Sequence, residues 1–368
     1  MEIKRINISE AAPGMLVAED ILNTSNQLIV PKDSTLTDKA IARMRFHMIG
    51  SFRIFVDDKS ASAPAPAPEP KPAAEERSYF DKLRETEEFV AYSGSFNNTV
   101  SNMENEFKKM ISGQKLADTE TLTAATANLR ASCRTGIQVF DLLHCFREYD
   151  DTTYAHSLNV SLICAVEGEW LGFSDKDIQT LIQCGLYHDV GKMMIPKDIL
   201  DKTTPLTPPE RKMVESHVVA GYNILKDKDI DNSIKLSAVM HHERCDGSGY
   251  PMNLTADKID EFAKIVAIAD VYEAMTSPRS YRKGKCPFEV LRLFESEGLT
   301  HFDPKYLMVF MENITQSYMG TRVRLNNGTV GTIVYINKLC YSKPLIQVAN
   351  GNYVDLMKDH SLYIEAML

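Results

Sequence analysis

A stretch rich in proline and alanine is the feature that most limits how this chain can fold. Residues 63–72 read APAPAPEPKP, and the same composition extends over 57–74. Proline lacks a backbone donor, and such runs favour an extended, semi-rigid chain over a packed helix or strand. We therefore assign residues 58–77 as a linker and expect the residues on either side of it to fold separately.

The residues before the linker mix strand-like and helical patterns. Apolar runs at 28–30 and 52–56 are typical of strands, and the polar residues 23–27 are typical of a hairpin turn. Residues 38–48 instead repeat apolar side chains at helical spacing. The pattern predicts a small α+β domain over residues 1–57.

The residues after the linker predict helices over a long distance. Thr207 and Glu210 have the spacing of a capping box with Pro208 at the first helical position, and Ser174 caps another predicted helix. This character continues from residue 78 to residue 319, which we assign as an all-helical domain.

The last part of the chain changes to a period of two. Hairpin signals occur at Asn327–Gly328 and at Asn350–Gly351, each between short apolar runs. Residues 320–368 are therefore predicted to form a small β-unit. The expected fold class is multidomain and mainly α: a helical domain preceded by a small α+β domain and followed by a small β-unit.

Composition restricts the range of ligands. The net charge is −9 and there is no long basic run, so we expect no extended nucleic-acid track and a small anionic ligand met by a local cluster. No signal-peptide core and no apolar run of roughly 20 residues is present, which predicts a cytoplasmic protein without membrane contact. The seven cysteines are odd in number and scattered, which argues against a disulfide framework.

Two runs carry the strongest chemical signal: residues 185–192 (GLYHDVGK) and residues 241–251 (HHERCDGSGYP). Adjacent His188 and Asp189 at the end of an apolar helix both need partners once they are buried, and a metal is the simplest such partner. Seven nitrogen or oxygen donors lie on or near predicted helix ends: His156, His188, Asp189, His217, His241, His242 and Asp270.

Histidine combined with carboxylate suits iron, manganese, zinc or nickel, whereas the absence of thiolate ligands disfavours a structural zinc. Four ligands hold one ion, and seven ligands with one bridging carboxylate hold two. Two ions about 3.5–4 Å apart polarise a phosphodiester and lower the pKa of a bound water to about 7. The residues therefore predict two divalent ions, iron or manganese first, with nickel or zinc as alternatives.

These runs resemble the signatures of the HD-GYP subclass of the HD metal-dependent phosphohydrolases. The resemblance extends from about residue 142 to residue 310. Beyond the two signatures, three runs are similar to the family's other ligand segments: 154–160 (YAHSLNV), 216–222 (SHVVAGY) and 265–282 (IVAIADVYEAMTSPRSYR).

The resemblance implies hydrolysis of the bacterial second messenger cyclic di-GMP to pGpG, sometimes onward to GMP, by a metal-activated hydroxide. A second subset of the family acts on 3′,3′-cyclic GMP-AMP, and the sequence does not choose between the two. Asp189 would bridge the ions and act in catalysis with Lys192. One ion would take His156, His188 and Asp270, and the other His217, His241 and His242. Substrate would be bound by Lys192, Gly249, Tyr250, Pro251, Arg279 and Arg282.

One position departs from the family members that bind three metals. Those members carry a glutamate four residues before the first histidine ligand, and here that position is Thr152. A neutral hydroxyl is a poor ligand for a third cation, so we predict a binuclear site. Asp150 and Asp151 are the alternatives, if the helix start is displaced.

Three further readings stay open. The chain can be a receptor that binds the dinucleotide without turnover, although the intact ligand set disfavours this. It can also be a phosphohydrolase for another nucleotide, which the Gly-Tyr-Pro loop disfavours. The apolar spacing over residues 80–135 suits a partner helix, so a homodimer is a hypothesis. Residues 13–20 (PGMLVAED) loosely resemble a small domain often found ahead of HD-GYP modules, which indicates no ligand.

Overall fold

The computed structural model describes residues 2–22, 28–46, 49–56, 83–112, 119–146, 153–277, 284–349 and 351–368. These residues divide into two compact units. One is the helical unit Leu83–Ile314; the other combines the described parts of Met1–Lys82 with Thr315–Leu368. The linker assigned to 58–77 and the turn assigned to 23–27 lie outside the described residues, and the domain limits stay predictions.

The described helices, in chain order, are α1 (Asp38–Phe46), α2 (Glu87–Ile111), α3 (Thr119–Ser132), α4 (Gly136–Phe146), α5 (Thr153–Trp170), α6 (Asp175–Tyr187), α7 (Lys197–Leu200), α8 (Pro208–Glu215), α9 (His217–Leu225), α10 (Asn232–Met240), α11 (Glu261–Thr276), α12 (Pro287–Leu293), α13 (Leu299–His301) and α14 (Pro304–Ser317). A 3₁₀ turn at Val190–Met194 follows α6. None of the described helices is long and apolar enough to cross a membrane.

Capping side chains fix where the predicted helices begin. The Ser174 hydroxyl accepts a hydrogen bond from the Asp177 backbone N–H (3.2 Å) at the start of α6. At the start of α8 the Thr207 hydroxyl accepts from the Glu210 N–H, and the Glu210 carboxylate accepts from the Thr207 N–H in return. This reciprocal pair is the predicted capping box.

Two glycines let the elements around the future site approach closely. A Cβ on Gly185 in α6 would lie 2.6 Å from the Cα of Ser161 in α5, and a Cβ on Gly191 would lie 1.9 Å from the carbonyl oxygen of His217. Both distances are far below van der Waals contact, so only glycine permits this packing. The 3₁₀ turn, α5, α6 and α9 are thereby brought around one centre.

Helix α2 buries its apolar stripe inside the helical unit. Phe96, Met103 and Phe107 are buried, and the helix packs on α3, on α5 and on the 3₁₀ turn. The stripe that suggested a partner helix therefore contacts its own chain. The homodimer stays a prediction without that support.

The second unit contains the described strands. They are β1 (Glu2–Asn7), β2 (Leu16–Val17), β3 (Ile21–Leu22), β4 (Leu28–Val30), β5 (Ser51–Val56), β6 (Arg322–Leu325), β7 (Val330–Tyr335), β8 (Leu345–Val348), β9 (Tyr353–Asp355) and β10 (Ile364–Met367). The N-terminal sheet has the order β1-β5-β2, with β3 and β4 paired beside it, and the C-terminal sheet has the order β10-β6-β7-β8-β9.

Both predicted C-terminal hairpins are present as antiparallel pairs, β6 with β7 and β8 with β9. Gly328 and Gly351 adopt positive φ values of 83° and 79° in their turns, a conformation that favours glycine. Within this unit the Arg43 guanidinium donates to the carbonyl oxygen of Ser317 (3.1 Å). The predicted fold class is confirmed: mainly α, with a small α+β region at the start and a β-unit at the end.

Candidate metal centre

The seven predicted ligands converge on one centre in the helical unit. They form two adjacent groups in which the donor atoms lie within 4.8 Å of one another: Asp189, His217, His241 and His242 in one group, and His156, His188 and Asp270 in the other. These are the two sets that the family resemblance implies.

Asp189 faces both groups with different oxygens. Its Oδ2 lies 3.4 Å from Nε2 of His156 and 3.3 Å from Nε2 of His188. Its Oδ1 lies 3.2 Å from Nε2 of His217 and 3.7 Å from Nε2 of His241. One carboxylate is thus shared between the groups, as a bridging ligand must be.

Helix ends supply most of these side chains. His156 lies in the first turn of α5, His188 caps the C-terminus of α6, and His217 is the first residue of α9. His241 caps the C-terminus of α10, with His242 next to it. Asp270 comes from the middle of α11, where it is buried.

Backbone carbonyls fix the ring orientation of three histidines. The Nδ1 atoms of His188, His217 and His241 lie 2.7, 2.7 and 2.9 Å from the carbonyl oxygens of Gly185, Val214 and Ser237, respectively. A carbonyl oxygen only accepts, so each Nδ1 carries the proton and each Nε2 directs its lone pair toward the centre. This is the tautomer that a metal-ligating histidine needs.

Three buried polar atoms in the centre lack a hydrogen-bond partner within the part of the chain that the structure describes. Nε2 of His156, Nε2 of His188 and Oδ1 of Asp189 are buried and have no hydrogen-bond partner among the described residues. Leaving such atoms unsatisfied costs about 1–3 kcal/mol each. A cation between them would satisfy all three, so the residues fit a metal site.

Burial and neighbouring charges shift the pKa values of the group. Burial lowers the pKa of His241 to about 4, which keeps its ring neutral. Burial also opposes the charged form of Asp189, but the Lys192 ammonium and the neighbouring histidine rings outweigh it and hold the pKa of Asp189 well below its usual range. The centre therefore offers a carboxylate and neutral imidazole together.

One member of the site was not identified from the sequence. Glu273 is buried on α11 and accepts a hydrogen bond from Nδ1 of His156. Its other oxygen accepts from Asn159 Nδ2 (2.9 Å) and from Ser277 Oγ (2.7 Å). The available signal was its position three residues after Asp270, which places both carboxylates on one face of a helix.

The predicted substrate residues are only partly described. Nζ of Lys192 contacts Oδ2 of Asp189, and its side chain is 20% exposed. The ring of Tyr250 packs on that of His242 with centroids 4.8 Å apart. Arg279 and Arg282 lie outside the described residues, as do Thr152, Asp150 and Asp151, on which the metal count was argued.

The loop that carries Gly249, Tyr250 and Pro251 is held by a buried acid. The Glu243 carboxylate accepts hydrogen bonds from the backbone N–H groups of Met252 (2.6 Å) and Leu254 (2.8 Å). A Cβ on Gly249 would lie 2.4 Å from the Cα of Glu243, so the loop packs directly on the backbone that follows the histidine pair.

Comparison with known proteins places this centre in a family. The model of the HD domain matches residues 144–306, a stretch that contains all seven ligands. Cyclic di-GMP phosphodiesterase PA4108 of Pseudomonas aeruginosa is 35% identical over 186 residues, 50% of this chain and 45% of that protein. 3′3′-cGAMP-specific phosphodiesterase 2 of Vibrio cholerae is 31% identical over 177 residues, 48% of this chain and 34% of that protein.

Among solved structures, Bd1817, an HDG"Y"P protein from Bdellovibrio bacteriovorus, aligns over 85% of this chain and 99% of its own, with 14% identity and a TM-score of 0.47. The chain spans less than half the length of the two curated relatives named above. Residues 144–306 match the HD domain family, as the motifs predicted, and the two signature runs within them resemble those of its HD-GYP group.

Proposed function

We propose that the HD domain hydrolyses a phosphodiester bond in a cyclic dinucleotide, with cyclic di-GMP as substrate and linear pGpG as product. The observation that carries the proposal is the position of Asp189, whose two oxygens face two separate histidine groups. Relatives named as cyclic di-GMP phosphodiesterases, with 33–35% identity to this chain, support the substrate class.

The chain's own residues have separable roles in this reaction. Two divalent ions bound there would polarise the phosphodiester and lower the pKa of a water molecule to about 7. Asp189 would offer its two carboxylate oxygens to these ions, and the histidines would offer the Nε2 atoms that their backbone contacts orient. Lys192, which is partly exposed beside Asp189, supplies a positive charge for a phosphate oxygen. The Tyr250 ring offers an apolar face for a base.

Iron or manganese is the proposed metal, because histidine and carboxylate ligands suit both; nickel and zinc are the alternatives. The proposed number is two, one for each ligand group. Metal analysis of anaerobically purified full-length protein tests the number. A stoichiometry near three would contradict it.

A second substrate is favoured by a specific observation. Two relatives at 31% and 33% identity are named 3′3′-cGAMP-specific phosphodiesterases. Cyclic GMP-AMP shares both phosphates and one guanine with cyclic di-GMP, so the same metal centre can act on it. Only the residues around the second base would distinguish the two.

A turnover assay of both dinucleotides with Mn²⁺ or Fe²⁺, with products separated by chromatography, tests the proposal. We expect linear product from cyclic di-GMP, and an Asp189→Ala variant supplies the inactive control. Faster turnover of cyclic GMP-AMP would favour the second substrate. Binding without linear product from either dinucleotide would contradict the enzyme and favour the receptor.

A further inference from the structure

A buried ring on helix α2 contacts two segments that carry metal ligands. The Phe107 ring stacks on Tyr187, with centroids 5.7 Å and planes 24° apart, and meets Tyr154 edge-on at 5.8 Å. Tyr187 directly precedes His188, and Tyr154 lies two residues before His156. We call Phe107, Tyr154 and Tyr187 the aromatic bridge.

The aromatic bridge is also tied to the turn after Asp189. The Tyr154 hydroxyl donates a hydrogen bond to Sδ of Met193 (3.0 Å), which lies next to Lys192 in the 3₁₀ turn. The bridge therefore touches every segment that supplies the first ligand group except α11, from which Asp270 comes.

The second ligand group is built differently. His217 begins α9, and His241 and His242 follow α10. The described ring contacts of Phe107 are those with Tyr154 and Tyr187, and neither belongs to these elements. Of the second group, only the shared Asp189, two residues after Tyr187, lies next to the aromatic bridge. A change at Phe107 should thus act more strongly on the first group than on the second.

We infer that Phe107 is a positioning residue for the metal site, and that it sets the spacing of His156 and His188 and so the affinity for the ion they hold. The inference rests on the proposed function, because it assumes that the two groups bind metal. Ligand positions must be held to about 0.5 Å. Removing a fully buried ring leaves space into which its neighbours relax. Helix α2 lies outside the matched residues 144–306, so the metal site depends on a helix that the family model does not include.

The chain offers a matched control on the same helix. Phe96 is as buried as Phe107, but its ring packs on Tyr92 and on Phe146 at 4.6 Å, away from the ligand segments. Phe96→Ala and Phe107→Ala each remove one buried phenyl ring from α2. A comparable loss of melting temperature is expected in both, so any difference in metal binding reports on position.

The experiment is a Mn²⁺ titration of the full chain and both variants, with free Mn²⁺ measured by electron paramagnetic resonance. We expect Phe107→Ala to weaken the binding of one ion by about 10- to 100-fold, the range seen when groups that orient ligands are removed, and Phe96→Ala to bind both ions as the unmodified chain does. Phe107→Leu should recover part of the loss. If Phe107→Ala does not fold, the pair Phe107→Leu and Phe96→Leu makes the same comparison.

Equal Mn²⁺ affinities in the Phe107 and Phe96 variants would overturn the inference and leave the proposed function standing. Equal weakening of both ions in Phe107→Ala at full folding would also overturn it, because the effect then does not distinguish the first group from the second. An unmodified chain that binds no Mn²⁺ would contradict the inference and the proposed function together.

Discussion

Glu273 accepts a hydrogen bond from Nδ1 of His156, while Nε2 of the same ring lies 3.0 Å from Oδ1 of Asp270. A carboxylate behind a histidine fixes the ring and raises its basicity as a ligand. Asn159 and Ser277 hold Glu273 in turn. The His156 ring is therefore oriented by a chain of buried and part-buried hydrogen bonds that ends at the candidate metal site.

We predict that Glu273→Gln weakens metal binding at the first ligand group by about 10- to 100-fold. The amide keeps the size of the side chain but removes the negative charge that orients His156. Calorimetric titration with Mn²⁺ measures the change. Glu169→Gln, at a partly exposed acid paired with Arg130, is the control, and equal affinities in the two variants would contradict the role of Glu273.

Removing the shared ligand should have a larger effect. Asp189→Ala takes an oxygen from each of the two groups, so we expect loss of both ions and of turnover. Metal analysis after gel filtration, with circular dichroism to verify folding, measures this outcome. A folded Asp189→Ala protein that retains activity would show that Asp189 is not the bridge.

Lys192 should behave in the opposite way. Its Nζ contacts Asp189, but an ammonium group cannot ligate a cation, so Lys192→Ala should retain both ions. We expect kcat to fall by about 10²- to 10³-fold, the usual effect of deleting one group that stabilises charge in the transition state. Lys197→Ala, at a side chain 88% exposed on α7, should keep full activity. An unchanged kcat in Lys192→Ala would show that Lys192 does not act on the substrate and serves only as a positive charge at a helix end.

The sequence identified the side chains that converge on the centre better than the groups behind them. The adjacent pairs His188-Asp189 and His241-His242 can be recognised in the sequence, because two such side chains at helix ends need partners once they are buried. Glu273 was missed because a single acidic residue on a helix is usually a solvated side chain. Only the packing of α5 against α11 shows that it is buried beside His156. In the sequence, Phe107 cannot be distinguished from the other apolar residues of the α2 stripe.

The sequence also did not predict that the N-terminal and C-terminal segments belong to one unit. Arg43 and Ser317, hydrogen-bonded in one unit, are 274 positions apart, and no periodicity reports a contact over that distance. The local predictions, by contrast, depended on short-range physics. Capping boxes, glycine turns and the change from helical to period-two spacing each involve neighbouring residues, and the structure confirms them at α6, α8 and the C-terminal hairpins.

Glu243 provides a test of substrate binding that is separate from the metals. Its carboxylate accepts two backbone hydrogen bonds from the loop that follows Tyr250 and Pro251. Glu243→Gln replaces one acceptor with a donor, so we expect a looser loop and a KM about tenfold higher, equal to ~1.4 kcal/mol. The kcat and the metal content should change little. Steady-state kinetics with metal analysis measures both, and a drop in kcat at constant KM would contradict a loop role.

Metal binding should release protons. Burial, the largest influence on His156, opposes its charged form, but the carboxylates of Glu273, Asp189 and Asp270 outweigh it and raise the pKa of His156 well above the ordinary value. The metal-free ring therefore favours its protonated form more than an ordinary histidine does, and a bound cation must displace that proton. Affinity for Mn²⁺ should rise with pH by about tenfold per unit for one released proton, as long as the pH lies below that pKa.

Calorimetry at pH 7 in two buffers of different ionisation enthalpy counts the protons that Mn²⁺ binding releases. We expect about one proton from His156. In Glu273→Gln the pKa of His156 falls, because its largest raising influence is removed, so fewer protons should be released and the pH dependence should flatten below neutrality. Identical heats in the two buffers for the unmodified chain would show that His156 is already neutral before the metal binds.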